Sequence, residues 1–369
     1  MKEVKRVTVI GTGAGAHGAA ADLTLRGYEV TLYEVSEFKS NLEAIAKKGG
    51  IEIIRGQNKQ FVKIHNFTTN AREAFTNAEC IMPVVPTFAH NALAHISAPH
   101  VIDGQSIILN PGSTGGLFEF MKVFKDKGVT AKIDWAETAS LPYGARVVEP
   151  GVVDILLDAK AIFFAAFPAT KTDEMFIEFK KMFPTAVKVK NILDTALNNG
   201  NPVSHPTAAM LNAGRIEFTK GNYLHYKEGI TPSIAKVMED VDKERMAIIR
   251  SYGLSEISTK ERLVMLGYTD SGKDLYDQYQ HSKVFAPMKA PADLYNRFIT
   301  EDIAYGLVTW ANLGDLAGID TPLMDAFVCI VSSMHGVDYS KEGRNLKNIG
   351  LGNMTVGQLI EYVNTGKAQ

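Results

Sequence analysis

Cysteine is scarce: two occur in 369 residues, Cys80 and Cys329, far apart and each inside an apolar run. A disulfide framework or a cysteine-based zinc site needs more than that, so both are excluded and no metal is expected. The expectation is a pair of free, buried thiols in a reducing compartment. An excess of one charge is also missing. The 39 lysines and arginines against 41 acidic residues leave a formal net charge of -2, which gives no broad field for nucleic acid or an anionic membrane. No run of about 18 apolar residues exists to span a bilayer. The opening Met1-Lys-Glu-Val-Lys-Arg lacks the apolar core and small-residue cleavage site of a signal peptide. Repeats and low-complexity segments are absent too. What remains is a soluble, cytoplasmic chain of ordinary globular balance, 46% hydrophobic and 22% charged, long enough for two domains.

The most informative text is at the start. Val7 to Ile10 is a short β-branched run suited to a strand buried on both faces. It enters Gly11-Thr-Gly13-Ala-Gly15-Ala16-His17-Gly18 directly; a helix follows through Arg26, and Gly27 ends it. A second strand, Glu29 to Glu34, closes with an acid. Strand, glycine turn, helix, strand and acid form the βαβ unit that holds a dinucleotide. In such a turn the first glycine bends the chain and the second admits the pyrophosphate, while the helix N-terminus faces its negative charge. Two registers are written here: a strict GxGxxG at Gly13, Gly15 and Gly18, and Gly11, Gly13 and Ala16. The second is preferred because its first glycine follows the strand at once. The cofactor-facing residues are then Gly11, Gly13, Ala14 and Ala16, with Glu34 accepting the ribose hydroxyls. Glu34 repels a 2′-phosphate, and Val35, Ser36 and Glu37 supply no arginine to offset it. NAD(H) is favoured and NADP(H) is the second choice.

Further along, Ala78 to Pro86 and Ser106 to Asn110 read as two more central strands, each closing in a loop. Ligands of such sheets bind outside the carboxyl ends of the strands, which makes Pro86 and Asn110 cofactor contacts in expectation. Residues 131–166 are strand-rich with Pro/Gly punctuation, and Thr172 to Phe183 has a helical stripe of Met175, Phe176, Phe179 and Phe183 that belongs to a core. After Val189 the apolar period becomes helical, over 233–252, 298–317 and 322–335. The expected fold is α/β: an N-terminal Rossmann-type doubly wound sheet over 1–188, then a mostly α-helical domain over 189–369. The apolar helices at 303–335 offer either a core or a homodimer surface.

Two segments of the second half carry candidate chemistry. His205 stands among prolines in Asn201-Pro-Val-Ser-His205-Pro206, and its charge changes near neutral pH. Glu301-Asp302 precedes an apolar helical stretch; on physics alone these carboxylates read best as charge at a helix start.

These segments belong to a wider likeness. The chain resembles the octopine/nopaline (opine) dehydrogenase family over essentially its whole length. The matching text is the Gly11–Ala16 turn, Leu32 to Phe38, Asn110-Pro-Gly112 and Glu137 to Tyr143. It continues through Asn198 to Pro206, Leu211 to Glu217, Lys289-Ala-Pro291 and Arg297 to Leu307. It departs from the family's pattern at Ala16, where glycine is frequent, and at Val35-Ser36, where a Leu-Pro pair is common. The resemblance implies reductive condensation of an amino acid's amine with a 2-oxo acid such as pyruvate. It implies His205 as the catalytic histidine and Asp302 as its partner. Both substrates carry carboxylates, so a cation should clamp them; Arg297 is the first choice and Arg215 the second. Asn201 and Tyr143 join the substrate side. The rival readings are a simple 2-oxo acid or 2-hydroxy acid dehydrogenase of ketopantoate-reductase type, and a non-catalytic NAD-sensing protein.

Overall fold

The computed structural model describes residues 3–367. The chain divides into two compact units. One takes in the chain up to Gly112, Gly116–Ile192 and Val363–Gly366; the other is built from Ser113–Gly115 and Leu193–Tyr362.

The first unit contains twelve strands: β1 (Arg6–Ile10), β2 (Glu29–Tyr33), β3 (Gly50–Arg55), β4 (Asn58–Lys63), β5 (Asn66–Thr68), β6 (Cys80–Pro83), β7 (Ser106–Leu109), β8 (Asp134–Thr138), β9 (Tyr143–Glu149), β10 (Val152–Asp158), β11 (Ile162–Phe167) and β12 (Ala186–Lys188). Eight of them form one sheet in the order β12-β11-β8-β7-β6-β1-β2-β5. Its strands are parallel from β5 to β8, and β11 pairs antiparallel with β8. β1 lies in the middle, with Val7, Val9 and Ile10 at most 1% exposed, as a strand covered on both faces must be. The chain leaves β1 for β2 on one side and returns to β6 on the other. In a doubly wound sheet such a reversal is the switch point, and ligands bind outside the carboxyl ends of the strands that flank it. The Rossmann-type doubly wound sheet expected from the sequence is therefore present. The remaining strands form a second sheet, β4-β3-β10-β9. The stripe of Met175, Phe179 and Phe183 is buried, with Phe179 stacked on Phe164 of β11 at 4.4 Å.

The second unit is helical, also as expected. Its longest helix, Pro232–Ser251, opens on Thr231, whose hydroxyl accepts from the Ile234 N–H, and turns Ile234, Met238, Val241, Ile248 and Ile249 inward. Trp310 is fully buried in the core, its indole N–H donated to the Ala196 carbonyl at 3.1 Å. The stretch 297–317 is a helical run with a π-helical turn, Asp302–Leu307, between two α-helical pieces. Its N-cap is Asn296, which accepts from the Phe298 N–H. Glu301 and Asp302 therefore do not mark a helix start.

One thiol corrects the sequence reading. Cys80 is buried, whereas Cys329 is exposed on the helix Pro322–His335, because that face, with Ile330 and Met334, is left uncovered. Among the described residues no helix is long and apolar enough to cross a membrane.

Candidate active site

The glycine turn is shaped for a phosphate. Gly11 has φ +114°, and a Cβ there would stand 2.8 Å from the Val84 carbonyl oxygen, so no side chain fits. Its N–H donates to the Tyr33 carbonyl, tying the ends of β1 and β2 together. Gly13 has nothing near its missing Cβ and opens the helix Ala14–Leu25, which has neither a side-chain cap nor an acid in its first turn. That N-terminus offers its N–H groups to an anion. Gly15 and Gly18 serve packing instead: a Cβ on them would meet Leu141 at 2.8 Å and the Tyr143 ring at 3.0 Å. Ala14 and Ala16 belong to the first turn of the helix, Ala16 fully buried.

His17 steadies the turn. Its Nδ1 donates to the Gly13 carbonyl at 3.0 Å and its Nε2 accepts from the Gly151 N–H at 3.1 Å. Burial lowers its proton affinity, and a neutral ring suits one donor and one acceptor nitrogen. Glu34, 8% exposed, follows β2. One of its oxygens accepts from the Thr12 hydroxyl at 2.7 Å and the other from the Val35 N–H at 2.9 Å, so its carboxylate is held in one orientation beside the turn. Of the two loop residues, Pro86 is exposed where β6 ends. The Asn110 side chain is fully buried, accepting from the Thr138 hydroxyl at 2.9 Å.

The second unit brings together residues 97 positions apart. His205 lies on the helix Asn201–Met210, whose interior holds Pro206, and Asp302 is the first residue of the π-helical turn. The two segments approach closely because Gly306 has no side chain: a Cβ there would stand 2.5 Å from Pro202 Cγ. His205 Nδ1 sits 2.8 Å from Asp302 Oδ2. The side chains are only 13% and 8% exposed. Phe298 stacks on the imidazole with ring centroids 4.1 Å apart and planes 22° apart. Burial lowers the proton affinity of His205 and raises that of Asp302, while the nearby Arg297 guanidinium lowers both. Burial thus opposes charge on either group, and the pair titrates as a unit sharing a proton. With Nδ1 engaged by the carboxylate, Nε2 is the nitrogen left for a reacting group.

Arg297 is exposed and makes no ion pair among the described residues; its guanidinium stands 5.9 Å from the Phe298 ring centroid. Asn201 begins the histidine's helix, half-buried, with its backbone N–H on the Asn199 side chain. Two expected substrate contacts have other employment. Arg215 is ion-paired with Glu228 and lies over the Tyr223 ring at 4.1 Å. Tyr143 donates its hydroxyl to Asp22 at 2.8 Å, within a cluster where Arg55 pairs with Asp22 and Asp158. Tyr143 is a structural residue of the first unit.

Sequence reasoning missed Phe298, Gly306 and His225. The ring of His225 is fully buried, 5.2 Å from Phe298, and among the described residues neither of its nitrogens has a hydrogen-bond partner; burial keeps it neutral. Nothing in the local text marks these three, since each acts through a neighbour distant in sequence.

A βαβ unit with a glycine turn and an oriented acid, followed by a helical unit with a buried His/Asp pair, is the pattern of a nicotinamide-dependent dehydrogenase. Comparison with known proteins makes this particular. Residues 188–335 match the family model described as NAD/NADP octopine/nopaline dehydrogenase, alpha-helical domain. The chain is 34% identical to an opine dehydrogenase of Arthrobacter sp. (strain 1C), covering 98% of this chain and 100% of that one. Its fold is similar to that of octopine dehydrogenase solved with NADH and agmatine, at TM-score 0.80, 20% identity and 99% coverage of both chains. It is also similar to yersinopine dehydrogenase bound to NADP+, at TM-score 0.74, 14% identity and 100% coverage of both. The protein belongs to the octopine/nopaline (opine) dehydrogenase family. It is an NAD(P)H-dependent oxidoreductase of the CH–NH class, carrying out opine-type reductive condensation.

Proposed function

We propose that the protein condenses an amino acid with a 2-oxo acid such as pyruvate, using His205 as the acid–base group, Asp302 as its partner and Arg297 on a substrate carboxylate. The observation that carries this reading is the 2.8 Å contact of His205 Nδ1 with Asp302 Oδ2, in a buried setting between two helical segments. The reaction joins the amine to the carbonyl carbon, expels that oxygen as water, reduces the resulting C=N bond, and consumes one proton in total. The cofactor supplies the hydride when bound. His205 moves the protons: it gives one to the oxygen as the amine adds, takes one from the amine nitrogen, and gives one as that oxygen leaves as water, so the net uptake is one. Asp302 holds the ring with Nε2 free and balances the charge it gains. Phe298 stacks on the ring and keeps bulk water from it. Substrates of this class are small carboxylates, which a guanidinium binds through two parallel hydrogen bonds.

The first unit is the dinucleotide-binding domain in this reading, with Gly11, Gly13, Ala14 and Ala16 along the pyrophosphate and Glu34 on the adenosine ribose. Pro86 and Asn110 border the cofactor at the strand ends. Glu34, already oriented by Thr12 and Val35, supports NADH over NADPH. Glu34→Ala is expected to weaken NADH while leaving or improving NADPH, lowering the ratio of their kcat/KM values about tenfold, the worth of one charged hydrogen bond. An unchanged ratio would assign the ribose to another residue.

The second unit supplies the acid–base pair and the substrate contacts. The exposed apolar face of the helix Pro322–His335, with Ile330 and Met334 46% and 47% exposed, supports a homodimer, which sedimentation of Ile330→Asp tests.

The deciding experiment is NADH oxidation with pyruvate, with and without a panel of amino acids, with product mass recorded. Turnover that requires the amine and yields the mass of the condensed, reduced pair is the expected result. Turnover with the oxo acid alone would replace this reading by simple 2-oxo acid reduction.

A further inference from the structure

Two arginines are buried in the second unit, and they differ in one respect. Arg245, 1% exposed, is fully satisfied: it pairs with Asp242 and donates to the Leu197 and Ile257 carbonyls and to the Asn198 side chain. Arg262, 5% exposed, has no carboxylate within ion-pair distance among the described residues. Its Nε donates to the Asn198 carbonyl at 2.8 Å, and its two terminal nitrogens make no hydrogen bond among the described residues. A counter-charge acts on it only through space, from Asp242, which is itself paired with Arg245; a ligand carboxylate would supply the direct pairing that the guanidinium lacks.

Its seat is specific. The guanidinium lies against Gly200, where a Cβ would stand 2.7 Å from both Cζ and Nη1. Gly200 is the N-cap of the helix that carries His205; that helix has no acid in its first turn, and its first N–H, of Asn201, is taken by the Asn199 side chain. The positive end of a helix and an unpaired guanidinium repel each other unless an anion lies between them. The seat of Arg262 at Gly200 is at the head of the helix that carries His205, and through space Arg262 lowers the proton affinity of that histidine.

We infer that Arg262, seated on Gly200 at the N-terminus of the helix Asn201–Met210, is a carboxylate-binding residue for one of the two substrates. This rests on the condensation reading, in which two carboxylates meet at one reacting centre and Arg297 serves only one of them.

The test uses the full chain and three variants: Arg262→Met, Arg262→Lys and Gly200→Ala. The last keeps the charge, and its backbone angles suit alanine, but its methyl displaces the guanidinium. NADH affinity by fluorescence, the melting temperature, kcat, and separate KM values for pyruvate and the amino acid are read. The expected result is a rise of at least about tenfold in one of the two KM values, the loss of a charge-assisted bond, with NADH affinity unchanged and partial recovery in Arg262→Lys. The KM that moves identifies the oxo acid or the amino acid as the occupant. Should Arg262→Met fail to fold, Gly200→Ala decides alone. Both KM values unchanged, or a fall in kcat without a KM change, would overturn the inference and leave Arg262 a structural residue. If no substrate pair is turned over at all, the condensation reading fails separately. The carboxylate site is then read from oxamate, which should raise the melting temperature of the NADH-loaded wild type more than that of Gly200→Ala; equal rises overturn it.

Discussion

His205→Ala is expected to lower kcat at least about 100-fold, the usual scale of a positioned acid–base group, while NADH binds as before. The split follows from where the residue sits. His205 belongs to the helical unit, on the helix Asn201–Met210, whereas the glycine turn and Glu34 belong to the other. Its ring is held by Asp302 and stacked on Phe298, so truncation removes a proton donor and leaves a gap beneath Phe298. A melting temperature a few degrees lower is acceptable for a lost buried ring; a loss of NADH affinity is not. Near-normal turnover in a well-folded variant would remove His205 from the mechanism. His205→Gln separates packing from chemistry, since the amide fills space and hydrogen-bonds but transfers no proton at neutral pH. It should be as inactive as alanine and melt closer to wild type.

The dinucleotide half was legible because its signals are local. β1, the Gly11–Gly13 turn, the following helix and Glu34 occupy about thirty consecutive residues, and each part is chosen by a backbone need that sequence displays directly. The structure adds what spacing alone left open: Gly15 and Gly18 face Leu141 and Tyr143, so the strict GxGxxG is partly a packing motif. The helical unit was legible in its periodicity but not in its site. His205 and Asp302 are 97 residues apart, and only a family resemblance joined them. Glu301-Asp302 looked like helix-start charge because a π-helical turn within a longer helix has no local signature. Arg215 and Arg262 show the limit of local text from the other side. Arg215 lies in matching text, yet its charge is answered by Glu228 at the surface. Arg262 lies in Lys260-Glu261-Arg262, a short run of charges that carries no motif, and it is buried where it packs against Gly200. Tyr143 was drawn to the substrate side by resemblance, and the Asp22–Arg55–Asp158 cluster claims it.

Asp302→Asn should produce a loss comparable to that of His205→Ala, although it changes one atom and leaves the shape intact. The carboxylate does two things for the ring. It accepts from Nδ1, which leaves Nε2 facing the reacting centre, and it offsets positive charge when the ring carries a second proton. An asparagine can turn its amide NH2 toward Nδ1, which fixes the opposite tautomer, and it offsets no charge in either orientation. A fall in kcat of at least about 100-fold is therefore expected, with NADH affinity retained. Because the two residues act as one unit, the double variant His205→Ala/Asp302→Asn should be hardly worse than His205→Ala alone; multiplying losses would mean that they work independently. Stability should move the other way. Burial raises the proton affinity of Asp302 in the folded state, so the His205–Asp302 pair keeps its shared proton over a pH range in which the carboxylate of the unfolded chain has released its own. The favourable contribution is complete below the ordinary carboxylate range. It is lost progressively as pH rises towards the raised titration of the buried group. Asparagine has no such proton to lose. The melting temperature of Asp302→Asn relative to wild type should therefore climb as pH is raised from the carboxylate range through neutrality. A difference that stays flat with pH would mean that Asp302 is ionised in the folded protein at no cost, and that its pairing with His205 outweighs its burial.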